Sequence, residues 1–117
     1  MTNRDWFSAM LRLVVLVEGV GASRRVRSLV LFRAADWVEA RERALRLGRE
    51  AERSYLGGTG EQVRWRFEAV ETIDLLGAEI ADGREVYAEP VDLDVGEGIA
   101  FDAEFRPEES EPGQSGA

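Results

Sequence analysis

Three acidic residues, Glu68, Glu71 and Asp74, are the first candidates for catalysis in this sequence. Carboxylates at such short spacing can serve as a general acid and a general base. Glu68 and Glu71 fall within a predicted strand, where side chains alternate between two faces. Glu68 and Glu71 therefore lie on opposite faces unless a bulge realigns them. Because the sequence has no histidine or lysine to assist them, cross-strand salt bridging is favoured over catalysis.

A second acidic cluster, Asp92, Asp94 and Glu97, surrounds Gly96. Carboxylates around a glycine turn can hold a hard cation such as Ca²⁺ or Mg²⁺. A metal-dependent carboxylate enzyme is therefore one hypothesis for this chain, ranked below a protein-binding module and a homodimeric accessory domain. The spacing lacks the other oxygens of a calcium loop, including its last bidentate glutamate. We therefore expect a solvated acidic turn and predict no metal site.

A basic face is predicted on the side of the sheet that points away from the helix. Together with aromatic neighbours it could form a platform for anions or single-stranded nucleic acid. The alternative is a ladder of cross-strand ion pairs. The net charge of −8 repels phosphate, so the ladder is favoured and we predict no nucleic-acid partner. The residues concerned are four arginines (Arg27, Arg33, Arg64, Arg66), two aromatics (Trp6, Tyr87) and two glutamates (Glu85, Glu89).

The composition removes several classes of chemistry. The chain has 117 residues, enough for one domain, and all fifteen basic residues are arginine. Without histidine, lysine or cysteine there is no imidazole relay, thiolate nucleophile, Schiff base or His/Cys zinc site. The hydrophobic content of 44% is enough for a buried core. We predict no cofactor and no catalytic residue, and hence a protein that is not an enzyme.

The charge is unevenly distributed along the chain. Residues 1–66 hold 13 arginines and 8 acids, whereas residues 67–117 hold 2 arginines and 15 acids. Either the two halves pair across one sheet, or the acidic half faces a basic protein partner. The absence of cysteine fits the cytoplasm. The apolar run at residues 10–17 is too short to span a bilayer and contains Arg12, so we predict no membrane association.

The first third of the chain predicts a β-hairpin. Residues 6–18 alternate with two largely apolar faces, which is typical of a central or doubly covered strand. Residues 19–23 predict a turn, and residues 26–34 alternate again as a second strand.

A helix is predicted after this hairpin. Asp36 is a good N-cap residue, and Glu39 completes an acidic variant of the capping box. An apolar stripe of mostly small residues, including Gly48, continues to Tyr55 and lets the helix lie close to a sheet. The glycine pair at residues 57–58 is expected to end the helix.

The second half of the chain predicts further strands. Residues 61–73 alternate, but the pattern slips near Val70 and Glu71 and requires a bulge there. Residues 84–91 predict a fourth strand, and residues 99–105 are a candidate fifth. Trp37, Trp65 and Phe67 are expected in the core.

The predicted fold is α+β, an antiparallel four- or five-stranded sheet in the order β-β-α-β-β with one helix on one face. We expect residues 1–105 to form a single domain and residues 106–117 to be a disordered acidic tail.

A set of short motifs resembles a small bacterial family, domain of unknown function 4288. The resemblance covers residues 6 to about 89, and it implies one β-β-α-β-β unit with no known catalytic residue. It gives no guide to the acidic extension after residue 90. The motifs are Trp6-Phe7-Ser8-Ala9, Glu39-Ala40, Gly48, Tyr55, Gly60-Glu61, Val63-x-Trp65-x-Phe67 and Asp82-Gly83-x-Glu85-Val86-Tyr87.

The face of the sheet opposite the helix is the predicted interaction surface, because one helix covers only one face and the other is also apolar. A tail strand around Phe101 and Phe105, a second copy of the chain or another protein could cover it. We predict a non-enzymatic acidic protein-binding module, inhibitor- or immunity-like toward a basic protein partner. The alternative is a homodimeric accessory or structural domain that associates through the open face. The expected partner-binding residues are Trp6, Met10, Leu29, Leu31, Glu85 and Glu89.

Overall fold

The computed structural model of the chain describes residues 4–113. Their elements are β1 (Asp5–Val17), β2 (Gly21–Ala34), α1 (Trp37–Glu50), β3 (Arg53–Leu56), β4 (Gln62–Gly77) and a short 3₁₀ helix at Pro107–Glu109. The four strands form one antiparallel sheet in the order β2-β1-β4-β3, with α1 on one face. The predicted α+β class and the β-β-α-β-β order are thus confirmed. None of the helices among these residues is long and apolar enough to cross a membrane.

The hairpin of β1 and β2 is longer than predicted. Its turn is confined to residues 18–20, and β2 begins at Gly21 instead of residue 26. Gly19 and Gly21 adopt positive φ angles of 83° and 88°, which lets the chain reverse in so few residues. The first strand lies in the middle of the sheet, between β2 and β4, as its two apolar faces predicted.

The core lies between α1 and the sheet. Alternate residues of β1 from Phe7 to Leu13 are buried there, together with Phe32 of β2 and the alanines of α1. Phe7 stacks on Phe32 at 6.1 Å between ring centroids and meets Trp37 edge-on at 5.3 Å. Burying such a side chain contributes about 1.5–3 kcal/mol, more than an exposed ion pair supplies, so this layer holds the fold together.

Small residues let α1 approach the sheet closely. Ala40, Ala44 and Gly48 are its buried positions. A Cβ atom at Gly48 would lie 2.4–2.6 Å from the ring atoms of Phe67, closer than real Cβ contacts. Asp36 caps the helix as predicted, since its side chain accepts a 2.8 Å hydrogen bond from the backbone N–H of Glu39. The Glu39 side chain pairs with Arg4.

The helix ends earlier than its sequence pattern predicted. It stops at Glu50, and residues 53–56 form β3, which pairs with residues 62–65 of β4. The Glu52 carboxylate accepts a 3.1 Å hydrogen bond from the backbone N–H of Phe67, and Tyr55 Oη accepts one of 3.1 Å from Trp65 Nε1. These partners stabilise the extended form, so tertiary contacts override the helical pattern here.

Two of the predicted strands are wrong. Residues 84–91 and 99–105 form no strand, so β3 supplies the fourth strand of the sheet. One core prediction also fails, because Trp37 is 55% exposed at the end of α1. Trp65 and Phe67 are half-buried against the core, as expected. Regular structure continues to Gly77; beyond it the described residues contain only the 3₁₀ helix, and the last four residues of the predicted tail lie outside them.

Candidate functional site

The outer face of the sheet, opposite α1, carries a network of charged side chains at its centre. Arg12 projects from the middle of β1, beside Arg25 and Arg27 of the edge strand β2. The carboxylates of Glu68 and Glu71 reach the same face from β4. We call these five residues the ion-pair network.

Two bulges in β4 create this network. The register with β1 shifts once between Met10 and Leu11 and again between Arg12 and Leu13, so β4 contains extra residues at both places. The predicted slip near Glu71 is the first of these shifts. A bulge re-aims the side chain at the extra residue, which is how Glu68 and Glu71 come to share one face despite their odd spacing.

The network is closely paired. Arg12 lies 3.3 Å from a Glu68 oxygen and 3.5 Å from a Glu71 oxygen. Arg25 Nε is 3.1 Å from Glu68, and an Arg27 nitrogen is 2.9 Å from Glu71. The cross-strand pairing favoured for these two glutamates is therefore present. Residues Arg12 and Arg25 were missed as its members, although a charge in the middle of an apolar strand was a usable signal for Arg12.

The arginines lower the pKa of both glutamates. Hydrogen bonds from Arg25 hold the pKa of Glu68 below 4.5, against a smaller opposing effect of desolvation. Hydrogen bonds from Arg27 lower the pKa of Glu71 in the same way, and Glu71 in turn raises the pKa of Arg27. A lowered pKa makes a carboxylate a weaker general base, and the catalytic carboxyl groups that act as general acids near neutral pH need a raised pKa instead.

Next to the network, residues 84–89 cross the outer face as a non-strand segment, which we call the strap. Ser8 Oγ donates a 2.8 Å hydrogen bond to the carbonyl oxygen of Val86, and Ser8 is fully buried. An Arg84 nitrogen donates a 2.7 Å bond to the carbonyl oxygen of Leu76. At the other end, Tyr87 Oη lies 3.2 Å from Glu89, to which Arg27 also donates at 3.3 Å.

The position of the strap on the sheet raises the pKa of its tyrosine, Tyr87. Burial raises the pKa of Tyr87, and the hydrogen bond with Glu89 raises it further. The strap crosses the sheet without joining it as a strand. Its hydrogen bonds to the sheet involve the Ser8 side chain of β1, the Leu76 carbonyl at the end of β4 and the Arg27 side chain of β2. Each of these bonds includes a side chain, unlike the backbone ladder of a strand, so alternation in the sequence wrongly predicted a strand.

The predicted partner-binding residues fall into three environments. Trp6 lies beneath the Arg33 guanidinium at 4.7 Å, and Met10 is buried. Leu29 and Leu31, on the same face of β2, are 37% and 47% exposed. The two strap residues differ from each other: Glu89 pairs with Arg27, whereas Glu85 is exposed to solvent.

The predicted arginine ladder is realised only in part among the described residues. Arg27 pairs with Glu89 as proposed. Arg33 instead stacks on Trp6, and Arg66 donates long hydrogen bonds to Ser54 Oγ and to the carbonyl oxygen of Trp65. The partners expected for the ladder, Glu85 and Glu89, are largely replaced by the bulged glutamates of β4.

Residues 91–105, which we call the acidic segment, form the most exposed part of the described chain. The cluster near Gly96 is a turn, in which the backbone N–H groups of Asp94 and Glu97 donate 3.0 Å hydrogen bonds to Glu97 Oε2 and to the carbonyl oxygen of Asp94. No group of metal-ligating side chains was found within residues 4–113. The exposed apolar side chains of the segment are Val91, Leu93, Val95, Ile99, Phe101 and Phe105.

Comparison with known proteins identifies the family. The family model described as Domain of unknown function (DUF4288) matches residues 6–88, well over half of the chain, and the chain belongs to this family. The match confirms the resemblance drawn from the sequence motifs and ends within the strap. The acidic segment therefore lies outside the family region. No curated protein and no solved structure matched.

Proposed function

We propose that this member of the DUF4288 family is a non-enzymatic, acidic protein-binding module of the bacterial cytoplasm. It would engage a basic protein partner through the acidic segment, in the manner of a small inhibitor or immunity protein. The supporting observation is the exposure of large apolar side chains between carboxylates. Phe101 is 108% exposed and Phe105 is 71% exposed, although both are aromatic.

Exposed apolar side chains gain stabilising free energy when a binding partner covers them. Apolar side chains left in water forgo about 25 cal/mol for each Å² they could bury, and aromatic rings are the largest contributors at protein interfaces. The segment contains turns at residues 95–96 and 101–102; in an extended form it can lay alternate side chains into pockets on another surface. Its apolar residues are spaced over 15 positions, long enough to follow a groove.

The negative charge of the acidic segment indicates the kind of surface that would bind it. Residues 91–105 hold five acids and no arginine, and they lie outside the ion-pair network. Exposed charges of one sign steer a partner of opposite sign and accelerate association at low salt. We therefore expect a basic surface with apolar pockets, rich in arginine or lysine at its rim.

The ion-pair network supports a non-enzymatic role. Glu68 and Glu71, the strongest candidates for general acid–base catalysis in the sequence, are both hydrogen-bonded to arginines. Their lowered pKa values make them weaker bases than an ordinary glutamate. Their place in the structure is that of a cross-strand bridge that ties β2 to β4 over β1.

The test is a matched capture experiment from native cytosol. The wild-type chain and a Phe101→Ser/Phe105→Ser variant are immobilised side by side, and the retained proteins are quantified at low and high salt. We expect a stoichiometric basic protein on the wild-type chain that is lost from the variant and weakened by salt. Identical capture profiles for the two chains would remove the acidic segment from the proposal.

A further inference from the structure

The long strand β2 has one edge that no strand within residues 4–113 occupies. It lies at the end of the sheet and pairs with β1 along its other edge over nearly its whole length. An unpaired edge presents a row of backbone N–H and C=O groups that can accept a further strand. The strand contains four arginines and no acidic residue. Its free edge is therefore suited to an acidic strand.

Two leucines of this strand remain exposed beside the strap. Leu29 and Leu31 are the cross-strand neighbours of Met10 and Ser8 in the sheet register. Both of those β1 residues are buried, whereas the leucines are 37% and 47% exposed. On the outer face, Ser8 and Met10 of the central strand β1 are therefore covered, whereas the apolar side chains at the β2 edge remain exposed.

The acidic segment contains a strand pattern without a sheet. Ile99, Phe101, Ala103 and Phe105 alternate with acidic residues at 102 and 104. In the structure these residues form no strand: Phe101 and Asp102 lie in a turn closed by a 3.1 Å hydrogen bond from the Ala103 N–H to the Ala100 carbonyl, which must open for strand pairing. Phe101 is fully exposed. The radius of gyration is 18.8 Å, compared with about 13 Å for a compact domain of this length, so part of the chain extends away from the body.

We propose that two copies of the chain associate by strand exchange, with residues 99–105 of each copy pairing antiparallel with the β2 edge of the other. Phe101 lies opposite Leu29, and Ile99 lies opposite Leu31. This register places Phe105 opposite Arg25, where a guanidinium can stack on its ring. The partner is therefore a second copy of this chain, bound through its edge strand.

The positions of the apolar side chains favour this register between residues 99–105 and β2. A shift by one residue would instead place Asp102 and Glu104 opposite Arg27 and Arg25, which already bind Glu71 and Glu68. Exposed ion pairs contribute little, whereas covering the two leucines removes apolar surface from water. A parallel strand would set Ile99 against Arg27, so the antiparallel direction matches the apolar residues better.

Charge complementarity supports the choice of a second copy. Strand β2 carries four arginines and no acid, and residues 91–105 carry five acids and no arginine, so the two elements attract overall. The attraction is long-range, since Arg25 and Arg27 are already paired with Glu68 and Glu71 and this register sets no acid opposite an arginine. The acidic segment does not lie on its own β2 edge in this structure. Each copy offers one donor segment and one acceptor edge, so the exchange can close with twofold symmetry. This inference rests on the proposed function only in taking residues 91–105 as the binding element.

Disulfide trapping tests the pairing directly, because the chain has no cysteine. In the proposed register Ser28 lies opposite Asp102, on the face that carries α1. We expect Ser28→Cys and Asp102→Cys chains, mixed in a glutathione redox buffer, to form a mixed disulfide between chains. The control mixes Ser28→Cys with Ala103→Cys, whose side chain points to the other face and should not cross-link. Equal cross-linking of both mixtures overturns the register.

A chain that carries both Ser28→Cys and Asp102→Cys distinguishes pairing between two chains from pairing of residues 99–105 with the β2 edge of their own chain. Cross-linked dimers support the proposal, whereas an internal disulfide in a monomer overturns it in favour of the segment covering its own edge. Sedimentation velocity completes the test. The wild-type mass should rise toward that of two chains with concentration, and Phe101→Ser and Leu31→Arg should each weaken dimerisation roughly tenfold or more. Circular dichroism checks that both variants fold.

The outcomes distinguish this inference from the proposed function. A wild-type chain that stays monomeric at all concentrations overturns strand exchange. If that monomer still captures a basic protein, and the Phe101→Ser/Phe105→Ser variant does not, the proposed function stands without the inference. A dimer that forms as proposed, with no protein captured through the acidic segment, supports the inference alone.

Discussion

The hydroxyl of Ser8 in the central strand and the carbonyl of Val86 in the strap are joined by a 2.8 Å hydrogen bond across 78 residues of sequence. Ser8 is fully buried, so the bond lies away from water. A buried hydroxyl without a partner would be costly, and this bond both satisfies it and fixes the strap on the sheet. It also determines which part of the outer face stays open for a partner.

Removing the Ser8 hydroxyl should loosen the strap. A Ser8→Ala variant leaves the Val86 carbonyl without its donor, and we expect a loss of about 1–2 kcal/mol in the free energy of unfolding. Hydrogen exchange should accelerate within residues 84–89 while α1 keeps its protection. Ser54→Ala is the control, since Ser54 is exposed and accepts a weak 3.4 Å contact from Arg66. Equal effects of the two substitutions would contradict a role for Ser8 in holding the strap.

Gly48 should resist replacement by alanine even though it lies in a helix. Alanine ordinarily stabilises a helix interior by about 1 kcal/mol relative to glycine. Here the added Cβ would meet the Phe67 ring at 2.4–2.6 Å, and overpacking of this kind costs about 1–3 kcal/mol. We expect net destabilisation in urea unfolding. Adding Phe67→Leu should make the Gly48→Ala substitution less costly, and a strictly additive double variant would refute the clash.

Acid should weaken the fold through the ion-pair network. Glu68 and Glu71 have folded-state pKa values below the unfolded-state value of 4.5. Their contribution to stability is therefore present above pH 4.5 and is lost as the pH falls through the lower folded-state values. We expect the urea midpoint to decline over this acidic range. A Glu68→Gln/Glu71→Gln variant should show a flatter decline, and an unchanged slope would contradict the assignment.

Changing the exposed aromatics should affect association without affecting folding. Phe101→Ser and Phe105→Ser remove side chains that lie in solvent, so the free energy of unfolding of the monomer should shift by less than about 0.5 kcal/mol. Thermal unfolding at low protein concentration measures this. Replacing Phe7 in the same way is the contrasting control, because its ring is buried and its loss should cost about 3–5 kcal/mol. Strong destabilisation by the Phe101 change would show that the segment packs on its own domain.

The helix boundary shows where local pattern was insufficient. The stripe that marks α1 continues to Tyr55, and nothing in its spacing indicates that residues 53–56 are extended. That state depends on the Trp65 indole and the Phe67 backbone N–H, which reach Tyr55 and Glu52 from another strand. Periodicity does not reveal partners that lie ten or more positions away in the sequence. The N-cap at Asp36, by contrast, was predictable because its hydrogen bond spans three residues.

The sequence by itself determined the α+β class and the order of its elements, because alternation, helix capping and glycine turns are local properties of the chain. Its short motifs resembled the family whose model matches residues 6–88. It also excluded imidazole, thiol and amine chemistry through composition. Only the tertiary structure decided that two bulges bring Glu68 and Glu71 to Arg12, and that residues 84–89 cross the sheet as a strap. Those outcomes depend on register and on contacts between distant segments, and a single strand's pattern does not encode them.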